Sequence, residues 1–125
     1  MSQSRQRVLI VDDAGPVVVL CVNVLQALGY VVKGANRADA ALELMRRERF
    51  DLLVLDYKMP GLSGFDVFRE ARTVQPDAAV VLVTGHATPE IMAEADRLGF
   101  NGILLKPFTS EELRATVEKV LARRG

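Results

Sequence analysis

Four apolar runs of this chain each end in a polar group. Val8-Leu9-Ile10-Val11 runs into Asp12-Asp13, Leu52-Leu53-Val54-Leu55 into Asp56, Val80-Val81-Leu82-Val83 into Thr84, and Ile103-Leu104-Leu105 into Lys106. Runs of this length between turn residues predict buried strands, and Val31 to Ala35 predicts a further one. The stretches between them predict helices. Ala14 to Leu28 has Pro16 in its first turn and Gly29 at its end. Asn36 as N-cap, with Asp39 in the first turn, opens a helix to about Arg49. Ser63-Gly64-Phe65-Asp66 opens a third, to about Val74, before Pro76-Asp77 turns the chain. Thr88-Pro89-Glu90 opens a fourth that stops at Gly99. Thr109 to Glu112 forms a capping box for a fifth, with Leu113, Val117, Val120 and Leu121 as its inward stripe and its end near Arg123.

Strands that alternate with helices over short loops predict an α/β fold, a parallel sheet covered on both faces. Right-handed crossovers leave few arrangements, of which the doubly wound, flavodoxin-like order 2-1-3-4-5 fits best. Residues 1–7 are polar and expected to be disordered, and 8–123 form the single domain. In such a sheet ligands bind at the carboxyl tips of the strands, where the four polar groups stand.

Composition narrows the function classes. At 125 residues the chain is long enough for one core without disulfides or metal staples. Lys and Arg number 16 and so do Asp and Glu, a balance that argues against a nucleic-acid or membrane-surface partner. The lone Cys21, in an apolar stretch, predicts a reduced core thiol and a cytoplasmic protein. Ala14 to Val32 contains no charged residue and has the length of a membrane span. Gly15, Pro16, Asn23, Gln26 and Gly29 interrupt it, so a helix and strand of a non-membrane domain is the expectation.

A single Asp after a strand often does no more than cap a turn. Here, if strands one and three are neighbours, Asp12, Asp13 and Asp56 converge. Two carboxylates about 4 Å apart repel by roughly 4 kcal/mol at an effective dielectric of about 20, so three call for a cation. Hard oxygen ligands select Mg2+ or Mn2+. Mg2+ keeps open positions for phosphate oxygens, and a carboxylate is a competent phosphoryl acceptor. Lys106 and the Thr84 hydroxyl would then neutralise and position the phosphoryl oxygens.

Asp12-Asp13, Asp56 followed by Met59-Pro60-Gly61, Thr84-Gly85 and Lys106-Pro107-Phe108 stand in the order and spacing of a known family. From Val8 to about Leu121 the chain resembles the receiver domain of two-component response regulators. The resemblance implies that Asp56 takes a phosphoryl group from a sensor histidine kinase or a histidine phosphotransfer protein. It implies Mg2+ on Asp13, Asp56 and the backbone carbonyl of Lys58, with Asp12 helping, phosphoryl contacts from Thr84 and Lys106, and a cis Lys106–Pro107 bond. Such a protein would catalyse its own phosphorylation and slow dephosphorylation without being an enzyme in the usual sense. Lys58 and His86 fall where the family flanks the path of the hydrolytic water, and so tune phosphoryl lifetime. Ile103 stands where receivers usually have the Tyr or Phe that swings as the threonine moves, a departure that puts the coupled switch in question.

Two other functions suit the topology. A flavodoxin-like electron carrier needs a hydroxyl- and glycine-rich phosphate loop after the first strand, where this chain has Asp-Asp-Ala-Gly-Pro. An aspartyl-nucleophile phosphatase needs a second Asp where Lys58 stands. The output remains open at this point: a downstream protein partner, a relay, or an effector domain of a longer regulator or hybrid kinase. At 100° per residue, Val17, Leu20, Cys21, Val24 and Leu28 of the first helix are expected to face the sheet. Val18, Val19, Val22, Asn23 and Gln26 would then face outward, the three valines forming a docking patch for the donor's helical bundle or, alternatively, for a second copy.

Overall fold

The computed structural model describes residues 5–124 of the chain. Its elements are β1 (Arg7–Val11), α1 (Gly15–Ala27), β2 (Val31–Ala35), α2 (Ala38–Arg47), β3 (Leu52–Asp56), α3 (Gly64–Val74), β4 (Ala79–Thr84), α4 (Pro89–Leu98), β5 (Gly102–Leu105) and α5 (Ser110–Arg124). All strand pairs are parallel and the order is β2-β1-β3-β4-β5, as the alternation of elements predicted.

Side chains that alternate along a strand reach opposite faces, and the sheet therefore has two cores. Val8, Ile10, Leu52, Val54, Val81 and Val83 pack with Cys21 and Leu25 of α1 and Leu113, Val117 and Val120 of α5. Leu9, Val11, Leu53, Leu55 and Val80 pack with Leu42 and Met45 of α2 and Val67 and Phe68 of α3, with Leu98 of α4 at the margin. β3 is buried along its whole length, which is why its sequence reads as a continuous apolar run that ends in Asp56.

The caps follow the expected chemistry at three helices. Ser63 and Asp66 exchange bonds as a capping box, the Thr88 hydroxyl accepts from Ile91 N at 3.2 Å, and Thr109 and Glu112 cap reciprocally. Gly99 ends α4 in the left-handed region, with φ of 99°. α2 departs from expectation: it begins one residue later, with Arg37 rather than Asn36 in the N-cap position and no side-chain cap. The Arg37 guanidinium instead clasps Asp39 in the first turn.

Two further corrections concern the first quarter of the chain. Arg7 is not part of a disordered segment but opens β1, where its amide donates to Asp51 Oδ2 at 2.9 Å. Residues 1–4 of that segment lie outside the described residues. In α1 the expected phase holds for Val17, Cys21 and Val24, which pack on the first core, and is rotated for the rest. Val18 and Val22 are half-buried against the first core and sit over Gly34 of β2, whereas Leu20 and Leu28 are 42% and 44% exposed. Gly34 has no side chain, so α1 rolls toward β2 and fills that space with Val18 and Val22. Only Val19 of the three valines is a large exposed apolar side chain, at 58%. Cys21 is buried as expected, and burial, with the Asp12 charge, pushes its thiol up to about 11. Among the described residues no helix is long and apolar enough to cross a membrane.

Candidate functional site

β1 and β3 are adjacent, with Val11 opposite Leu55, so the residues that follow each strand emerge side by side. One carboxylate oxygen from each of Asp12, Asp13 and Asp56 lies within 4.8 Å of the others. Asp12 and Asp56 are buried, at 3% and 5% exposure, and Asp13 is exposed. Asp12 is the hub of the cluster. Its Oδ1 accepts the Ala14 amide at 2.9 Å, which aims the chain into α1, and its Oδ2 meets Lys106 Nζ at 2.9 Å. Lys106 also reaches Asp56 Oδ1, at 3.4 Å. The lysine is delivered by β5 through the β4–β5 pairing, with Lys106 N donating to Thr84 O at 2.9 Å. The following Lys106–Pro107 bond is cis, as the resemblance implied.

Three carboxylates facing one ammonium leave the cluster short of positive charge. Burial, then the negative charges of Asp12 and Asp13, opposed by Lys106, push the Asp56 carboxyl up to about 6. Burial works to lower the Lys106 ammonium, but its hydrogen bond and attraction to Asp12, and then those to Asp56, outweigh this and raise it. An all-oxygen donor set of this charge suits a hard divalent cation.

A pocket of about 480 Å³ opens on the cluster and is lined by Asp13, Asp56, Lys58, Thr84, His86 and Lys106, with Met59, Pro60 and Gly85 completing the wall. Of the site residues expected from the sequence, Asp12, Asp13, Asp56, Lys58, Thr84, His86 and Lys106 are therefore together. Thr84 is buried, and its Oγ1 is engaged locally: it accepts His86 N at 3.0 Å and donates to His86 O at 3.3 Å. Lys58 and His86 are exposed at the rim. Ile103 is half-buried in β5, opposite Leu82, and is not part of the pocket wall. Val18, Val19 and Val22 lie away from it on α1; Val18 and Val19 line a separate groove with Gly34, Ala35 and Leu44.

The sequence reading did not single out Gly64. It is buried at the start of α3, donates to Tyr57 O at 2.6 Å and presses against the backbone of Asp56. The available signal was a glycine directly after a Ser cap, where a helix has no conformational need of one.

Comparison with known proteins agrees with this geometry. A family model described as the response regulator receiver domain matches residues 8–118. The chemotaxis protein CheY of Pseudomonas aeruginosa is 34% identical over 120 residues, covering 94% of this chain and 97% of that protein. The transcriptional regulatory protein ZraR of Escherichia coli is 32% identical over 122 residues, 98% of this chain but 28% of that protein. Among solved structures, a CheY-like response regulator receiver domain protein from Methanospirillum hungatei superposes with a TM-score of 0.91 at 27% identity, covering 97% of each chain.

Proposed function

From the premise that this chain belongs to the response regulator receiver family and is a phosphorylatable signalling switch, we propose that Asp56 is the phospho-acceptor. The observation that supports this reading is the Asp56 carboxylate: buried at a strand tip, paired with Lys106, and open to a pocket. Asp12, Asp13, Asp56 and the Lys58 carbonyl would hold Mg2+, or Mn2+ in its place, and the bound cation would supply charge neutralisation for the transferring group. Family membership sets aside the electron-carrier and phosphatase readings.

In the proposed step an Asp56 oxygen attacks phosphorus, a P–O bond forms, and the P–N bond of the donor phosphohistidine breaks, its electron pair returning to the imidazole. The Lys106 ammonium lies against Asp56 and offsets charge on the phosphoryl oxygens. For Thr84 to contact the phosphoryl group, its hydroxyl has to give up its bonds to His86, and that exchange would move the loop that follows β4. With Ile103 in place of a swinging aromatic, the movement is confined to that loop. Lys58 and His86 at the rim tune the lifetime of the acyl phosphate.

The partners on this reading are a histidine kinase or phosphotransfer protein and a downstream protein or effector domain, in the cytoplasm, with the receiver unit beginning at Arg7. Val19 is the docking valine that remains exposed on α1. The test is labelling with acetyl phosphate and Mg2+, read by mass spectrometry. The wild type is expected to gain one base-labile phosphoryl group on Asp56 and Asp56→Asn none; a label on another residue overturns the assignment. Val19→Glu is expected to label normally from acetyl phosphate but to accept at least tenfold more slowly from the cognate phosphohistidine protein, about 1.4 kcal/mol of barrier. An unchanged transfer rate removes Val19 from the docking surface.

A further inference from the structure

Gly64 opens α3, and its identity is not explained by backbone conformation. Gly29, Gly61 and Gly99 have positive φ, and Gly64 does not. Helix propensity runs against a glycine as well, since alanine is preferred in helices. What the position demands is space. A Cβ built on Gly64 would lie 2.7 Å from the carbonyl oxygen of Asp56, 3.0 Å from Tyr57 Cα and 3.2 Å from Asp56 C. All three are backbone atoms of the segment that presents Asp56, so no side chain can swing away to make room.

The same seam is closed on every side. Gly64 N donates to Tyr57 O at 2.6 Å, and Lys58 bridges Ser63 in an antiparallel pair. The Phe65 ring meets the Tyr57 ring edge-on, with centroids 5.0 Å apart. The Ser63–Asp66 capping box fixes the helix start that presses on this seam. The first turn of α3 thus rests directly on the Asp56–Tyr57 peptide, and the Lys58 carbonyl hangs from the same short loop.

We infer that Gly64 is a positioning residue for phosphoryl acceptance. By letting α3 seat on the Asp56–Tyr57 peptide, it holds the Asp56 carboxylate and the Lys58 carbonyl where one cation can join them. The inference rests on the reading of Asp56 as acceptor and Lys58 as carbonyl ligand. A methyl group at position 64 must displace either α3 or the peptide. Mg2+ demands near-ideal octahedral geometry, so even a small displacement is expected to weaken its binding.

The experiment compares wild type, Gly64→Ala and Val67→Ala. Val67 is fully buried one turn along α3, and its truncation, which crowds no backbone, serves as a destabilised control. Mg2+ affinity is measured without a phosphodonor, from the amide shifts of Tyr57 and Lys58, and acetyl-phosphate labelling is measured separately at saturating Mg2+. Gly64→Ala is expected to lose at least tenfold in Mg2+ affinity and to label more slowly at saturation, while Val67→Ala loses stability alone. Should Gly64→Ala fail to fold, Ser63→Ala takes its place: loosening the capped turn is expected to cost about threefold in Mg2+ affinity. A folded Gly64→Ala with wild-type affinity and rate, or an equal loss in Val67→Ala, overturns the inference. So does an unchanged Ser63→Ala where it stands in. A wild type that takes no label overturns the reading of Asp56 first, and the inference with it.

Discussion

The two ends of the sheet treat buried polarity in opposite ways. Among the described residues the buried polar side chains are Asp12, Asp56, Thr84 and Gln75. The first three stand at the carboxyl end, and Gln75 stands at the amino end. Gln75 is fully matched: its Nε2 donates to Met45 O and Glu48 O, and its Oε1 accepts Phe50 N at 3.1 Å. Around it, Glu48 is held by both Arg7 and Lys33, and Arg7 Nε also donates to Arg49 O at 2.9 Å. At the other end three carboxylates cluster, and Lys106 pairs with only two of them, Asp12 and Asp56. One end is a latch that ties α2, β3 and α3 together. The other keeps an unbalanced charge that only a ligand can relieve, and this is where a site belongs.

The comparison breaks most visibly at the latch. Gln75→Leu removes one side chain and strands the Phe50 amide and the Met45 carbonyl, both at buried bonds, and the half-buried Glu48 carbonyl. The expected cost is about 3 kcal/mol of unfolding free energy, measured in urea, with Mg2+ affinity unchanged. A loss under about 0.5 kcal/mol would place this end among ordinary surface positions.

At the opposite end removal of a polar group is expected to help. Asp13→Asn deletes an exposed like charge beside Asp56 and leaves the Lys106 pairs in place. Metal-free Asp13→Asn is expected to be more stable than wild type by up to about 1 kcal/mol, given the partial screening of an exposed group. The wild type is expected to gain about 1.4 kcal/mol at Mg2+ tenfold above its dissociation constant, and Asp13→Asn to lose most of that response. A wild-type melting midpoint indifferent to millimolar Mg2+ would contradict the account of the cluster.

The two ends were not equally legible in the sequence. The carboxyl end announces itself because each polar group follows an apolar run, and parallel topology sends all such tips to one edge. The latch does not, because a lone Gln before Pro76 looks like any loop residue until the three backbone groups around it are known. The phase of α1 was legible only in part for a related reason. A helix without a charged residue has no polar face to set its rotation, and the space over Gly34 decides instead. Arg7 was assigned to the polar N-terminal segment, yet Asp51, just before β3, draws it into β1: the Asp51 carboxylate accepts the Arg7 amide at 2.9 Å and the Asp51 amide donates to Arg7 O at 2.8 Å. Gly64 was visible only as part of a capping sequence, whereas its role depends on what lies beneath it.

The effects of pH are the sharpest because Asp56 and the Glu48 latch should respond with opposite sign. Asp56 is raised in the folded state from 3.8 to about 6, by burial first and then by Asp12 and Asp13. The folded protein therefore holds this proton more tightly than the unfolded chain does. The penalty is complete above about pH 6 and fades as pH falls toward 3.8, so metal-free stability rises on acidification through that window. Glu48 is lowered from 4.5 by its hydrogen bond to Lys33, against burial, and then by the charges of Lys33 and Arg7. Its contribution is present above pH 4.5 and is lost as pH falls through the depressed folded value. Asp39, Glu94 and Glu111, each lowered by a hydrogen bond from an arginine, add to the same loss. Urea midpoints measured in chelator are therefore expected to pass through a maximum where the two windows meet. Asp56→Asn removes the rise and keeps the fall, whereas Glu48→Gln keeps the rise and flattens part of the fall. Saturating Mg2+ abolishes the rise in the wild type, because the cation competes with the proton for the same carboxylates. A metal-free wild type whose stability only declines from pH 7 downward would mean that the carboxyl end carries no unbalanced charge.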